Sequence, residues 1–375
     1  MPGLLPNVDP DGLLEYSVVY TDRSLNHMSK RFGGVMRDIS ATLKEVYGAA
    51  SAIVVPGSGS YGMEAVARQF AGGKDVLIVR NGWFSYRWTQ IFEMAGVASS
   101  STVLKARMVA PEPKSPFAPA PLDEIVQTIR RTRPGVVFAP HVETSAGMIL
   151  PDAHLRAIAA ATHDVGGLFV LDCVASGAIW VDMRELGIDV VISAPQKGWS
   201  SSPCAGLVML GERAKGRIAT TSSSSFSLDL KKWMTIMEAH EQGAMAYHAT
   251  YPTDALAQLR DAMAETRAMG FAQAKTAQVE LGQRVRSLLE SKGIPSVAAP
   301  GFQAPCVIVS YTDHADWQNT KAFAAQGLQV AAGVPLACDE PADYRSFRLG
   351  LFGLDKLKNI DRTVATFEEA LNSLL

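Results

Sequence analysis

Two polar residues at the ends of apolar runs carry the chemistry that the sequence offers. The run Leu168-Phe-Val-Leu ends in Asp172, and Val190-Val-Ile-Ser193 leads within four residues to Gln196 and Lys197. Apolar, β-branched runs that finish in polar residues are how buried parallel strands deliver side chains to a site at their carboxyl ends. A carboxylate and an amine held there are costly unless something between them uses both charges. A pyridoxal phosphate ring does so, because the lysine forms a Schiff base with it and the aspartate pairs with its protonated pyridine nitrogen. Taken alone, the same two residues also read as a turn-capping aspartate and a surface lysine, so the rest of the chain decides.

A site of this kind needs an anion cradle. Ala52-Ile-Val-Val55 reads as a strand, followed by Pro56-Gly57-Ser58-Gly59-Ser60-Tyr61-Gly62 and a helix over 63–70. Strand, glycine loop and helix amino terminus converge free amides and the positive end of a helix dipole on one point, which suits a phosphate. The same loop matches G-x-G-x-x-G, the dinucleotide fingerprint, and also reads as a tight turn with no ligand. The dinucleotide reading wants an acidic residue roughly 20 residues further on to hold a ribose. Here the next strand, 75–79, ends in Arg80-Asn81 instead, and Asp172, Lys197 and Arg348 are left without a role.

The surrounding elements are those of an α/β protein. Helical spacing runs from 29 to 47, around 87–95, over 122–132 and over 152–163, between strands at 52–55, 75–79, 136–139, 168–172, 190–193 and 206–210. That alternation predicts a doubly wound, mainly parallel sheet. Residues 108–121 are proline-rich and read as a surface connection, and Tyr16–Tyr20 as a strand-like patch in an irregular arm. The expected organisation is an amino-terminal arm over 1–27, a large cofactor-binding domain over 28–255, a connecting helix over 256–292 and a smaller α/β domain on an antiparallel sheet over 293–375. The chain has 375 residues, is 47% hydrophobic and 19% charged, and carries a formal net charge of −2, which gives no electrostatic reason to expect nucleic acid or an anionic membrane. Cys173, Cys204, Cys306 and Cys338 are scattered without metal-ligand spacing, so no metal site and no disulfide framework is expected. With no signal peptide and no apolar run long enough to span a membrane, a cytoplasmic protein is expected.

With these residues in view, the chain resembles the class V aminotransferases of fold type I, in the group of alanine/serine-glyoxylate and 2-aminoethylphosphonate aminotransferases. Ser58-Gly59-Ser60 with Met63-Glu64-Ala65 resembles the family's phosphate loop. Asn81-Gly82-Trp83-Phe84 is similar to its Asn-Gly-x-aromatic segment, which implies that Phe84 stacks on the cofactor ring. Glu143-Thr144-Ser145-x-Gly147 is similar to the segment whose hydroxyl, at Thr144, contacts the cofactor's phenolic oxygen or phosphate. Asp172 and Val174 match the residues against the pyridine nitrogen and ring face. Ser193-x-x-Gln196-Lys197 resembles the pair that supplies a phosphate ligand and the Schiff-base lysine. Tyr247-x-x-Thr250-x-Pro252 is similar to the segment that reaches the phosphate of the other subunit's site, and Arg348 corresponds to the arginine that clamps the substrate carboxylate.

The resemblance implies a homodimer with shared active sites and pyridoxal 5'-phosphate as cofactor. It implies transfer of an amino group from alanine, serine or a similar donor to glyoxylate or pyruvate, with Lys197 shuttling the proton. A 2-aminoethylphosphonate–pyruvate transaminase is the alternative. The arm replaces the family's Pro-Gly-Pro opening, and Ala331–Pro335 keeps only part of a glycine-rich substrate loop, so the donor stays open. A lyase or desulfurase of the same fold wants a histidine before the lysine and a reactive loop cysteine, whereas here Gln196 precedes Lys197 and Cys338 is the one loop cysteine in that region. His141, His163, His248 and Trp83 read as structural. Arg348 has a plainer reading as an exposed arginine on a sheet edge.

Overall fold

The computed structural model describes residues 13–375, so the first twelve residues of the expected arm lie outside it. Helix α1 (Lys30–Tyr47) starts on Ser29, whose hydroxyl accepts from the Phe32 amide, and stops on Gly48 in the left-handed region. Strand β1 (Ser51–Pro56) follows, then helix α2 (Gly59–Phe70), strand β2 (Asp75–Arg80), helix α3 (Trp83–Ala95) and strand β3 (Ser100–Lys105). Helices α4 (Leu122–Thr132) and α5 (Asp152–Asp164) flank strand β4 (Val136–Pro140). Strands β5 (Leu168–Asp172), β6 (Val190–Ser193) and β7 (Ala205–Leu210) complete a seven-stranded sheet of order β1-β7-β6-β5-β4-β2-β3.

From β6 through β5, β4 and β2 to β3, neighbouring strands run parallel, and the centres of all but the edge strand β3 are fully buried. Helices cover both faces, which is why these strands read as continuous apolar runs without alternation. All the parallel strands open their carboxyl ends on one edge, and that edge receives residues 80–85, 140–145, 172–176 and 193–197. Strand β7 departs from the parallel pattern, being antiparallel to both β6 and β1. The connection 194–204 holds no helix, and without a crossover element the chain can only turn back beside the strand it has left.

Other expectations are corrected. Strand β3 was not foreseen, because a half-exposed edge strand reading Ser-Ser-Thr-Val-Leu-Lys lacks the apolar signal of its buried neighbours. Tyr16–Tyr20 forms no strand; the Ser17 amide donates to Glu15, and the Val19 and Tyr20 amides donate to the Ser17 hydroxyl, so short polar side chains take up this backbone. The expected connecting helix over 256–292 is two helices, α6 (Thr253–Met269) and α7 (Phe271–Ser291), broken at Gly270 with φ 92°. Beyond them, β8 (Val307–Tyr311), β9 (Ala331–Ala332) and β10 (Ser346–Gly350) form an antiparallel sheet with β10 in the middle. The carboxyl-terminal helical stretch from Leu354 breaks at Asn359, leaving α8 (Ile360–Leu374) as its main part.

Candidate active site

The anion cradle is the join between β1 and α2. Ser58 is the amino-terminal cap of α2, yet its hydroxyl makes no capping bond and the first turn holds no acid. The amides of Gly59 and Ser60 open the helix, where no intrahelical acceptor exists for them. Gly57 has φ 126°, a value that demands glycine, and it lets the loop reverse tightly against the Tyr61 ring. A Cβ on Gly59 would stand 2.8 Å from Val174 Cγ2, so glycine is what allows the loop to lie against the strand that carries Asp172.

Asp172 ends β5 beside Ile192 of β6 and is buried, its carboxylate accepting from the Val174 amide at 2.9 Å. Burial pushes its pKa up to about 6, the nearby Glu143 carboxylate adds to the rise, and the Val174 amide, Arg87 and Lys197 act against it. Burial likewise pulls the Lys197 amine down, and Arg348 pulls it further. The Lys197 Nζ lies 5.0 Å from the centre of the Phe352 ring. Acid and amine are thus both biased toward their neutral forms, the state expected of groups whose charge partner is a ligand rather than protein.

The position of Phe84 is fixed by a buried carboxylate. Glu143 is fully buried, and its Oε1 accepts from the amides of Phe84 (3.1 Å) and Ser145 (3.1 Å) and from the Ser145 hydroxyl (2.8 Å). Its Oε2 accepts from the Ser85 amide (2.9 Å) and hydroxyl (2.7 Å). The Ser145 hydroxyl in turn accepts from the Trp83 amide, and the Ser85 hydroxyl from the Asn81 and Gly82 amides. Every amide from Asn81 to Ser85 therefore ends on Glu143 or on a serine that Glu143 holds, which ties the start of α3 to the β4 edge and sets the direction of Phe84. Gly82 is required where these segments meet, since a Cβ there would fall 2.1 Å from Ser145 Oγ.

A cavity of about 210 Å³ lies between these segments. Ser58, Gly59 and Ser60 border it at the helix end, Asp172, Val174, Gln196 and Lys197 at the strand ends, and Phe84 and Thr144 on the remaining sides. Nine of the residues singled out in the sequence are thus brought together. Arg348, on β10, stands beside this group with its guanidinium 5.4 Å from the centre of the Phe84 ring and its Nε donating to the Ala332 carbonyl at 2.7 Å. Tyr247 and Thr250 lie outside the cavity lining; both are exposed and bonded to each other at 3.2 Å. Sequence reasoning missed three residues. Arg87 lines the cavity, Glu143 was quoted only as part of a motif, and Phe352 faces Lys197. Arg87 was within reach of sequence reasoning, because a position three residues after Phe84 shares its helical face.

These residues fit a phosphorylated pyridine aldehyde. The cradle offers open amides and the Ser58 and Ser60 hydroxyls, and the Gln196 Oε1 beside it is buried with no hydrogen-bond partner among the described residues. A carboxylate and an amine wait on adjacent strand ends for a ring nitrogen and a carbonyl. Two competing chemistries are poorly served. Cys338 is buried, its thiol pushed up to about 12, and it donates to the Arg80 carbonyl, so it is no mobile nucleophile. Arg80 is likewise engaged, with its guanidinium over Tyr86 and bonded to Thr89, leaving nothing on that strand end to read a ribose.

A sheet of this topology with a lysine and an aspartate at adjacent strand ends defines a fold type I pyridoxal 5'-phosphate enzyme. The chain belongs to the class-V aminotransferase family, whose description, "Aminotransferase class-V", matches residues 12–347. It is 26% identical over 358 residues to alanine–glyoxylate aminotransferase of Callithrix jacchus, covering 92% of this chain and 82% of the relative. It is 29% identical over 363 residues to a 2-aminoethylphosphonate–pyruvate transaminase of Paraburkholderia xenovorans, covering 94% and 90%. Among solved structures, the alanine–glyoxylate aminotransferase of a Nostoc species superposes with a TM-score of 0.77 at 22% identity, covering 92% of this chain and 88% of that one. The protein is an aminotransferase, and its cofactor is pyridoxal 5'-phosphate.

Proposed function

We propose that the enzyme moves the amino group of a small amino acid, alanine, serine or a close analogue, to a 2-oxo acid such as glyoxylate or pyruvate. The observation that carries this reading is that Lys197 and Asp172 line one cavity, with Arg348 beside it over the Phe84 ring. Bound pyridoxal phosphate supplies an electron sink that makes a proton on the donor's α-carbon acidic. Ser58, Ser60, Thr144 and Gln196 would hold its polar groups, and Val174 and Phe84 would lie against its ring. Asp172 would hold the pyridine nitrogen and favour its protonated form, and a positive charge there would favour the ionised aspartate. Lys197 Nζ would take the proton from the donor's α-carbon and deliver it to the carbon that was the cofactor's carbonyl, a task eased by an amine whose pKa is already lowered. The fork of Arg348 would bind the donor's planar carboxylate and orient its α-carbon.

In the same reading the enzyme is a homodimer, and Tyr247 and Thr250 serve the phosphate of the partner subunit's site. The exposure of Tyr247 (56%) and of Met245 beside it (53%) supports a subunit contact there. A cytoplasmic location is proposed from the four cysteines, all free and buried. No helix among the described residues is long and apolar enough to cross a membrane. A phosphonate donor with pyruvate as acceptor is the second reading, favoured by the 29% identity to the Paraburkholderia relative. In that case Arg348 serves the 2-oxo acid half-reaction alone. Mixing the enzyme with one donor at a time, with no acceptor present, tests both readings. The expected result is conversion of the cofactor to its amine form by alanine or serine, reversed by glyoxylate or pyruvate. Conversion by 2-aminoethylphosphonate alone establishes the second reading, and release of ammonia or sulfide without conversion overturns both.

A further inference from the structure

The anion cradle described so far holds hydroxyls, amides and an amide side chain, but no charge. A phosphate monoester carries about −1.5 to −2 at neutral pH, and Asp172, across the same cavity, adds a carboxylate to the negative side. Among the described residues, the charged ones lining the cavity are Arg87, Asp172 and Lys197. Lys197 is committed to the carbonyl carbon, which leaves Arg87. It projects from the second turn of α3 and donates from Nη1 to Ser60 Oγ at 2.8 Å, and among the described residues it forms no ion pair with a carboxylate. Its guanidinium lies 5.5 Å from the centre of the Phe84 ring. A guanidinium in this setting has unused donors, and it is the group best matched to phosphate oxygens.

The bond to Ser60 has a second effect. A hydroxyl that accepts from a guanidinium keeps its own hydrogen for another acceptor. Arg87 therefore orients Ser60 as a donor at the mouth of α2, next to the open amides of Gly59 and Ser60. We propose that Arg87 is the charged ligand of the cofactor phosphate, contributing its own guanidinium and the aligned Ser60 hydroxyl, and that it thereby selects the phosphorylated cofactor over pyridoxal. This rests on the reading of the cavity as a pyridoxal phosphate site. Its influence reaches the reacting end as well, since the Arg87 charge favours ionised Asp172 and disfavours ionised Lys197.

The test uses the full-length, cofactor-free protein and its Arg87→Gln and Arg87→Lys variants. Dissociation constants are measured for pyridoxal phosphate, for pyridoxal and for inorganic phosphate, and melting temperatures are recorded without cofactor. For Arg87→Gln the expected result is at least a tenfold loss of affinity for pyridoxal phosphate and for inorganic phosphate, with pyridoxal affinity within about twofold. Arg87→Lys recovers part of the loss, because it keeps the charge without the fork. Equal losses for pyridoxal phosphate and pyridoxal would place the effect on the ring, through Phe84, and overturn the proposal; unchanged phosphate affinity would also overturn it. If Arg87→Gln fails to fold, phosphate affinity of Arg87→Lys decides, with an unchanged value refuting the proposal. Failure of the underlying reading is distinct, since the unsubstituted protein would then bind neither pyridine compound.

Discussion

Glu143 is the residue whose replacement tests most about how this site is built. Five donors converge on its carboxylate, three of them backbone amides, in a place with no solvent. Glu143→Gln keeps the shape and replaces one acceptor oxygen by an NH₂ group. If that group takes the Oε2 position, it faces the Ser85 amide and hydroxyl, and the hydroxyl cannot simply turn to accept, since it already accepts from Asn81 and Gly82. If it takes the Oε1 position, it faces three donors. Removing a buried charge relieves several kcal/mol of desolvation in principle. The native charge is already satisfied, however, and each buried donor left without a partner costs roughly 1–3 kcal/mol, so the orphaned donors decide. The expected outcome for Glu143→Gln is a loss of about 2–4 kcal/mol, with about 3–5 kcal/mol for Glu143→Ala. Urea unfolding of the cofactor-free protein reads the stability, and a pyridoxal phosphate titration reads the stacking site, where affinity falls as the start of α3 loosens around Phe84. A Glu143→Gln variant within about 0.5 kcal/mol of the parent, with unchanged cofactor affinity, would refute the reasoning.

Three further expectations follow from single residues. Asp172, with its pKa raised from 3.8 to about 6, holds its proton in the folded chain after the unfolded chain has lost it, so the stability of the cofactor-free protein falls as pH rises through that window. Asp172→Asn removes this slope and makes the cofactor-free protein about 3 kcal/mol more stable at neutral pH, whereas an unaltered stability–pH curve would contradict the burial argument. Gly59→Ala puts a methyl 2.8 Å from Val174 Cγ2, and turning the valine only exchanges one methyl for another. The expected result is a loss of about 1–3 kcal/mol by overpacking and weaker cofactor binding, and a crystal structure with Val174 unmoved would show the contact to be harmless. Cys338→Ser is expected to leave transamination largely intact and to remain folded, since the thiol is sealed from substrate; loss of activity with intact folding would revive a thiol-dependent reaction.

The legible part of the molecule is the part whose side chains obey period and burial together. Strands β2, β4, β5 and β6 are buried on both faces and announce themselves as apolar runs, and the polar residues that end them mark the site. Edge strand β3, half exposed and rich in serine, carries no such mark. The reversal of β7 was hidden because direction is set by the length and content of a connection, and an apolar run reads the same both ways. At the site, Asp172, Lys197 and the Ser58–Ser60 loop were visible from residue type and position. The role of Glu143 was not, because its partners Phe84 and Ser85 become neighbours only when the edges of β2 and β4 meet. Tyr247 and Thr250 illustrate another limit: a motif can name residues that a single chain leaves on its surface.

The central claim is that Lys197 meets the cofactor carbonyl in the cavity beside Asp172. Borohydride reduction of the protein loaded with pyridoxal phosphate, followed by peptide mass analysis, tests it most directly. A phosphopyridoxyl group is expected on the peptide that carries Lys197, and none in the Lys197→Ala protein. A stable label on another lysine, or a reduced protein without any label, would contradict it.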